Sequence, residues 1–495
     1  MQPERHAVAM ACPAARFPVG WVAMGVVASA GLALLGTRLG NLPGDGSGRW
    51  WFGLPGTGLS TNPLIWVAFY ASMGLMVLAW LGVGRQARAG HLPTPAIVGI
   101  LAVWAVPLLL GPPLFSQDIY SYAAQGTLAH DGLNPYTTGP IALAPGPVLA
   151  SVAPVWATTP APYGPLFVAV SGLVMAFLGH SLVVAVTVLR LLELVGIALV
   201  AAFLPRLARS VGADPGVALW LGILSPVALF SFVASGHNDA LMVGLLVAGV
   251  TLAVERRPAA GVVLCALATA VKVPAAAGIA FVAFTWIRSR ATWRQRAATT
   301  GLCALLAAVT LAVVTWASGL GWGWLGPQVL SVPTDVTLGA APVNALSVSA
   351  YHLLHLAGAP VSRSVVVLTG QVLGGLCAAA VAVLALVRSG RRSLAQALAI
   401  ALLAVVLVGP VLWPWYLTWG IALLAGTSSQ RSRALVVVAA LAAFLVQPDG
   451  ATILGGQAYV GVALVTLAAL AWLLRTGRWR SLLTPRSALA VPEPA

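Results

Sequence analysis

Asp118 stands in LFSQDIYSYAAQGTLAHDGLNPY, directly after an apolar run that ends in VPLLLGPPLF. A carboxylate in that place has two readings. Ser116 or Asp118 starts a helix, and an acid in the first turn is stabilised by the free amides and the dipole there. Alternatively, Asp118 is a general base at the edge of a membrane, placed to take the proton of an attacking hydroxyl. Tyr122, four residues on, shares its helix face, whereas Tyr120 does not. Spacing alone leaves both readings of Asp118 open. Asp131, in HDGLNPY, closes the same helix in a turn signature and reads as a turn residue.

A second polar island is GHNDALM, where His237, Asn238 and Asp239 interrupt apolar sequence. Asn238 or Asp239 is placed to cap the helix that follows. Capping does not account for His237, whose imidazole could bind a phosphate or a hydroxyl. Lys272, in LATAVKVPAAAG, is the only lysine in a chain that otherwise uses arginine. A cation among apolar residues needs a partner, so Lys272 is a functional candidate for an anionic lipid phosphate, against the alternative of a side chain snorkelling to the interface. Arg190 and Glu193, three residues apart in TVLRLLELVG, read first as a mutually neutralising pair. Trp413, Trp415 and Tyr416 in WPWY could stack on a sugar or an isoprenoid, but an interfacial aromatic belt is the simpler reading.

The elements that carry these residues must cross a bilayer. The chain has 495 residues, is 60% hydrophobic and only 7% charged, and its long uncharged runs match the length of a membrane span. Its formal charge of +15 is spread over short segments between spans and forms no basic stripe alternating with aromatics, so nucleic acid is not an expected partner. Retained arginines instead mark the inner side. They cluster at 85/88, 206/209, 256/257, 288–296, 388–392, 431/433 and 475–486. With both termini inside, this pattern predicts about 14 crossings and leaves Arg38, Arg49 and Arg363 outside.

The expected organisation is a cytoplasmic tail over 1–18, a polytopic domain over 19–474 and a second cytoplasmic tail over 475–495. The first span, from about Val19 to Gly36, reads as an uncleaved signal anchor. The longest departure from the membrane, 115–180, has a helical start, a Pro/Gly-rich middle and a short embedded or interfacial helix at its end. Arginine-rich flanks send LATAVKVPAAAG out and back, with Lys272 near the turn; the stretch from Arg257 rises ~22 Å as helix, enough to bring Lys272 to the outer interface. Cys265, Cys303 and Cys377 fall in predicted spans with no CxxC spacing, as small core residues and not as a disulfide or metal framework.

The motifs QDIYSYAAQGTLAHDGLNPY, APYGPLF, GHNDALM, AVKVPAA and WPWYL occur in this order over nearly the whole chain. In this it resembles the GT-C glycosyltransferases, and among them the polyprenol-phosphomannose-dependent α-1,6-mannosyltransferases of the MptB type from actinobacteria. The resemblance implies an all-α polytopic fold with a catalytic first outer loop. It implies a plasma-membrane enzyme that elongates the α-1,6-mannan core of lipomannan and lipoarabinomannan from polyprenyl phosphomannose, on the extracytoplasmic side. Asp118 matches the family's catalytic aspartate, and Tyr163 lies in its APYGPLF motif. Inversion at the mannosyl carbon then needs one base, while Lys272, with His237 and Arg190 or Arg363, would stabilise the leaving phosphate. No DxD triplet is present, and neither a metal nor another cofactor is expected. Two other readings remain beside this one: a lipid-phosphate-dependent transferase of a different sugar, and a transporter or flippase of lipid-linked saccharides.

Overall fold

A computed structural model describes residues 17–43, 50–52, 54–56, 60–335, 341–427, 432–444, 447–448 and 459–476. Most of both expected tails, together with Arg49 and Arg431, lies outside these residues. Apart from a short ladder that pairs Trp50–Trp51 with Leu54–Pro55, the described secondary structure is helical.

Among the described residues, six helices are long and apolar enough to cross a membrane: Val19–Leu39, Pro63–Arg88, Leu182–Val211, Trp293–Ser318, Arg363–Val387 and a segment over Arg391–Val408. Pro215–Gly222 and Pro226–Ala234, bent by 48° at their junction, make a seventh if they are one span. Five shorter apolar helices accompany them, among them Asp239–Val254, Pro258–Val271 and Pro165–Leu178. The protein is membrane-embedded. Helix starts follow local rules: proline occupies the first turn at Pro63, Pro165, Pro215 and Pro258, where its missing N–H costs nothing. Asp214 accepts from Val217 N at 2.7 Å, and Thr292 with Gln295 forms a capping box.

The core is centred on Asp239–Val254, nearly all of which is buried. It packs between Leu182–Val211 and Pro258–Val271, as expected for a helix apolar on every side. At another junction Trp80 and Trp220 stack with centroids 5.0 Å apart. Each indole N–H donates to the other's backbone carbonyl, at 3.0 and 2.8 Å.

Arg190 and Glu193 do not pair. Arg190 is fully buried and donates to the carbonyls of Leu108, Leu109, Gly111 and Val233. Leu108 and Leu109 sit in the last turn of Thr94–Leu110, where carbonyls lack helical partners and carry partial negative charge. That cluster of acceptors outcompetes a carboxylate three residues away. Glu193 Oε2 instead accepts from Leu241 N at 3.0 Å. Arg190 therefore locks three segments together and does not line the site. Arg363 opens its helix on an exposed surface and does not line the cavity that holds Lys272. Cys265 and Cys303 are buried as expected, but Cys377 is exposed on Arg363–Val387 and is not a core residue.

Candidate active site

The helix Asp118–His130 begins at the suspected base, yet Asp118 does not cap it. Ser116 Oγ accepts the Asp118 backbone N–H at 3.1 Å, which leaves the carboxylate free to face elsewhere. The chain enters this turn through Phe115, held at φ 67°, a conformation costly for a non-glycine residue. Its ring stacks on Phe230 at 4.6 Å. Asn41 holds the turn from the other side, donating to Ser116 O at 2.9 Å and accepting from Gln117 Nε2 at 3.0 Å.

The Asp118 carboxylate accepts from Trp156 Nε1 at 3.1 Å and lies 3.5 Å from His237 Nδ1. Its side chain is 14% exposed. Burial pushes its pKa up to about 6, against the opposing effects of the Lys272 charge and the Trp156 hydrogen bond. His237 is reached through Gly236, whose φ of 74° favours glycine and whose Cα faces the Arg190 side chain so closely that a Cβ would lie 2.6 Å from it. The imidazole stacks on Trp415 at 3.9 Å, and Trp415 on Trp413 at 4.8 Å. Burial holds its pKa well below the usual value, so the ring is neutral. Neither ring nitrogen, nor Asn238 Nδ2, has a hydrogen-bond partner, although buried polar groups are normally satisfied.

Neither Asn238 nor Asp239 caps the helix that starts there. Asp239 turns inward to Lys272, whose Nζ lies 3.0 and 2.9 Å from its two oxygens, and it also accepts from Trp419 Nε1. Lys272 ends Pro258–Val271 in extended conformation. Pro274 prevents the helix from continuing, and a short turn, Val273–Ala275, leads into Ala276–Arg288. The side chain does not snorkel: Lys272 is 7% exposed, and its ammonium is ringed by Tyr416, Trp419 and Tyr163 at 4.6, 5.6 and 5.7 Å. The break is fixed from outside by Gly164, whose N–H donates to Val271 O at 2.9 Å. A Cβ on Gly164 would meet Ala270 O at 2.2 Å.

These elements enclose a cavity of about 340 Å³. Asp118, Trp156, Tyr163, Lys272, Trp413, Tyr416 and Trp419 line its polar end, and Val329, Leu402, Val405 and Val406 are on its apolar wall. Tyr122, His237, Asn238, Asp239 and Trp415 stand directly behind the polar end: Tyr122 packs edge-on against Tyr163 and its hydroxyl lies 3.5 Å from Asn238 Oδ1. The WPWY residues are thus interior, with Trp415 4% exposed, and do not form a belt. Trp156 and Trp419 were not among the expected site residues. Trp419 could have been found, since it shares the LWPWYLTW segment; Trp156, in a proline-rich loop, carries no sequence signal.

A membrane-embedded helical body, hollowed by a part-apolar cavity where a raised-pKa carboxylate and a buried ammonium meet, has the form of an integral membrane transferase. Residues 22–288 match the family described as alpha-(1→6)-mannopyranosyltransferase, N-terminal domain, and residues 343–476 match the MptB C-terminal domain. The chain is 35% identical to alpha-(1→6)-mannopyranosyltransferase A of Mycobacterium tuberculosis, over 78% of this chain and 76% of that protein. It is 34% identical to a probable alpha-(1→6)-mannopyranosyltransferase of Mycolicibacterium smegmatis, over 72% and 69%. To alpha-(1→6)-mannopyranosyltransferase B of Corynebacterium glutamicum it is 27% identical, over 79% and 71%. No solved structure matches. The chain belongs to the alpha-(1→6)-mannopyranosyltransferase family, and it is a mannosyltransferase.

Proposed function

We propose that this protein moves mannose from polyprenyl phosphomannose to an α-1,6-mannan acceptor of the lipomannan type, with inversion, at the extracytoplasmic face of the plasma membrane, on a GT-C architecture. The observation that carries the reading is that Asp118 and Lys272, 154 positions apart in sequence, line one cavity. The residues split the labour by charge. Asp118 takes the proton of the acceptor hydroxyl as its oxygen bonds to the mannosyl carbon. The bond from that carbon to the phosphate oxygen breaks, and polyprenyl phosphate leaves.

Lys272 meets the charge that grows on the leaving phosphate. Asp239 spends only two of the ammonium's three donors. His237, neutral and 3.5 Å from the Asp118 carboxylate, stands behind the cavity, where it is suited to position the base. The aromatic residues Trp413, Tyr416 and Tyr163 offer faces to a sugar ring, and the aliphatic wall offers a path for the first isoprene units.

The test is direct. Full-length protein in liposomes, supplied with labelled polyprenyl phosphomannose and an α-1,6-oligomannoside, is expected to lengthen the acceptor, and Asp118→Asn is expected to abolish the transfer while the protein still folds. Turnover by the asparagine variant would remove Asp118 as the base. Equal use of another polyprenyl-phosphate sugar would favour the wider donor class.

A further inference from the structure

A second cavity, of about 750 Å³, lies at the other end of Pro258–Val271 from Lys272. Arg256 and Arg257, Arg290 and Arg391 line it, from three separate parts of the chain. Among the described residues no carboxylate lines it. Among the described residues none of these four guanidiniums has an ion-pair partner; the neighbouring Glu255 is engaged by Arg206 instead. Arginines that only fix topology are expected to point apart into water. Here they converge on a hollow.

Two further observations single out the place. Arg290 Nε is buried and has no hydrogen-bond partner, while its guanidinium is held over the Trp286 ring, which also lines the cavity. Buried donors of this kind are normally satisfied by something. Arg256 is held at φ 68°, where a helix that ends in this way favours glycine. An arginine kept in a conformation that disfavours it points to a use for its side chain. Pro258, Ala259 and Ala260, the first turn of Pro258–Val271, complete the lining and add the positive end of a helix dipole.

We propose that this cavity is a phosphate-recognition site, distinct from the mannosyl-transfer cavity, that takes a phosphate-bearing headgroup or a free phosphate. Converging arginines, an available buried N–H and no carboxylate fit a ligand with several anionic oxygens, which forked guanidiniums bind in pairs. Pro258–Val271 connects this site to the Lys272 end of the same helix, ~21 Å away.

The test uses full-length protein in an uncharged detergent, titrated by calorimetry with short-chain phosphatidic acid, short-chain phosphatidylcholine and inorganic phosphate. Saturable binding of phosphatidic acid is expected, weakened about tenfold or more by Arg256→Gly and separately by Arg391→Gln. Arg256→Gly is expected to leave the melting temperature unchanged or raised, because glycine relieves the backbone; Arg391→Gln, on another turn, serves if that variant does not fold. Phosphatidic acid that inorganic phosphate fails to displace identifies a headgroup ligand, and displacement identifies free phosphate; each supports the site. Binding that is unaltered in both variants, or equal binding of phosphatidylcholine, overturns it. None of these readouts involves sugar transfer, so the outcome is independent of the donor assignment.

Discussion

Lys272 and Asp239, 33 residues apart in sequence, form a buried ion pair in which Nζ lies 3.0 and 2.9 Å from both carboxylate oxygens. The pair joins the end of Pro258–Val271 to the start of Asp239–Val254, so the cation of the site is positioned by the most buried helix of the core. Removing one partner leaves a lone charge in an apolar setting, at a cost of about 3–5 kcal/mol. Asp239→Asn and Lys272→Gln are each expected to lower stability markedly, and the double variant by less than their sum, with a coupling of about 0.5–3 kcal/mol. Thermal or denaturant unfolding of the four proteins measures this, and strict additivity would mean that the pair contributes nothing.

On the proposed mechanism Asp118 sets the pH dependence. Its pKa is raised from 3.8 to about 6, and only the ionised form serves as base, so kcat/KM for transfer should climb about tenfold per pH unit up to about 6 and then level. His237 is held neutral well below its usual range and should add no second limb near neutrality. A rate that is flat from pH 4.5 to 7 would exclude Asp118 as the group that titrates.

The same shift has a stability consequence. Because the folded pKa is raised, the native state binds the proton more tightly than the unfolded chain, and this contribution is complete below pH 3.8 and lost as pH rises to about 6. The full effect is about 3 kcal/mol. Asp118→Asn, which cannot ionise, is expected to be inactive yet no less stable than the parent above pH 7, as read by melting temperature. An asparagine variant that unfolds easily would assign the carboxylate a structural role.

Trp156 touches the proposed base, Asp118, through one hydrogen bond, 3.1 Å long, from its indole N–H. Trp156→Phe removes that donor and keeps most of the ring. A hydrogen bond to a charged group is worth about 1.5 kcal/mol, so the acidic limb of the rate profile should move up by about one pH unit. A lowered rate with an unmoved limb would show that Trp156 only packs.

Gly164 lies where two backbones touch, and Gly164→Ala would press a methyl into Ala270 O. Overpacking of this kind costs about 1–3 kcal/mol. The strain falls at the Lys272 break, so transfer activity should fall together with the melting temperature. A variant as stable and active as the parent would show that the break does not depend on this contact.

Much of the site could be read in the sequence because charges are scarce there. Asp118, Asp239 and Lys272 stand out against apolar surroundings, and burial of such groups demands partners. Which partners they take is a tertiary matter. Asp239 reads locally as a cap and in the fold as the counter-ion of a lysine on another helix. Arg190 has a carboxylate one turn away, yet goes to carbonyls of two other segments that no pattern in the sequence marks. The tryptophans of WPWY fit a lipid-facing belt and an interior wall equally well by type, and only packing separates the two. Helix lengths are less legible still, since apolar runs do not reveal where a proline or a bend, such as the 48° bend between Pro215–Gly222 and Pro226–Ala234, divides them.

Pro258–Val271 and Ala276–Arg288, 14 and 13 residues long, each rise about 20 Å, some 10 Å less than a hydrocarbon core is thick. If Pro258–Val271 starts at the inner boundary, the lysine between the two helices lies below the outer one and not at it, and on the proposed reaction a headgroup drawn to it leaves the aqueous boundary. Water, the nucleophile most abundant outside, is scarce at that depth. On the proposed mechanism the shortness of two helices thereby shields the sugar phosphate from wasteful hydrolysis, so that the mannosyl group passes to another sugar and not to water.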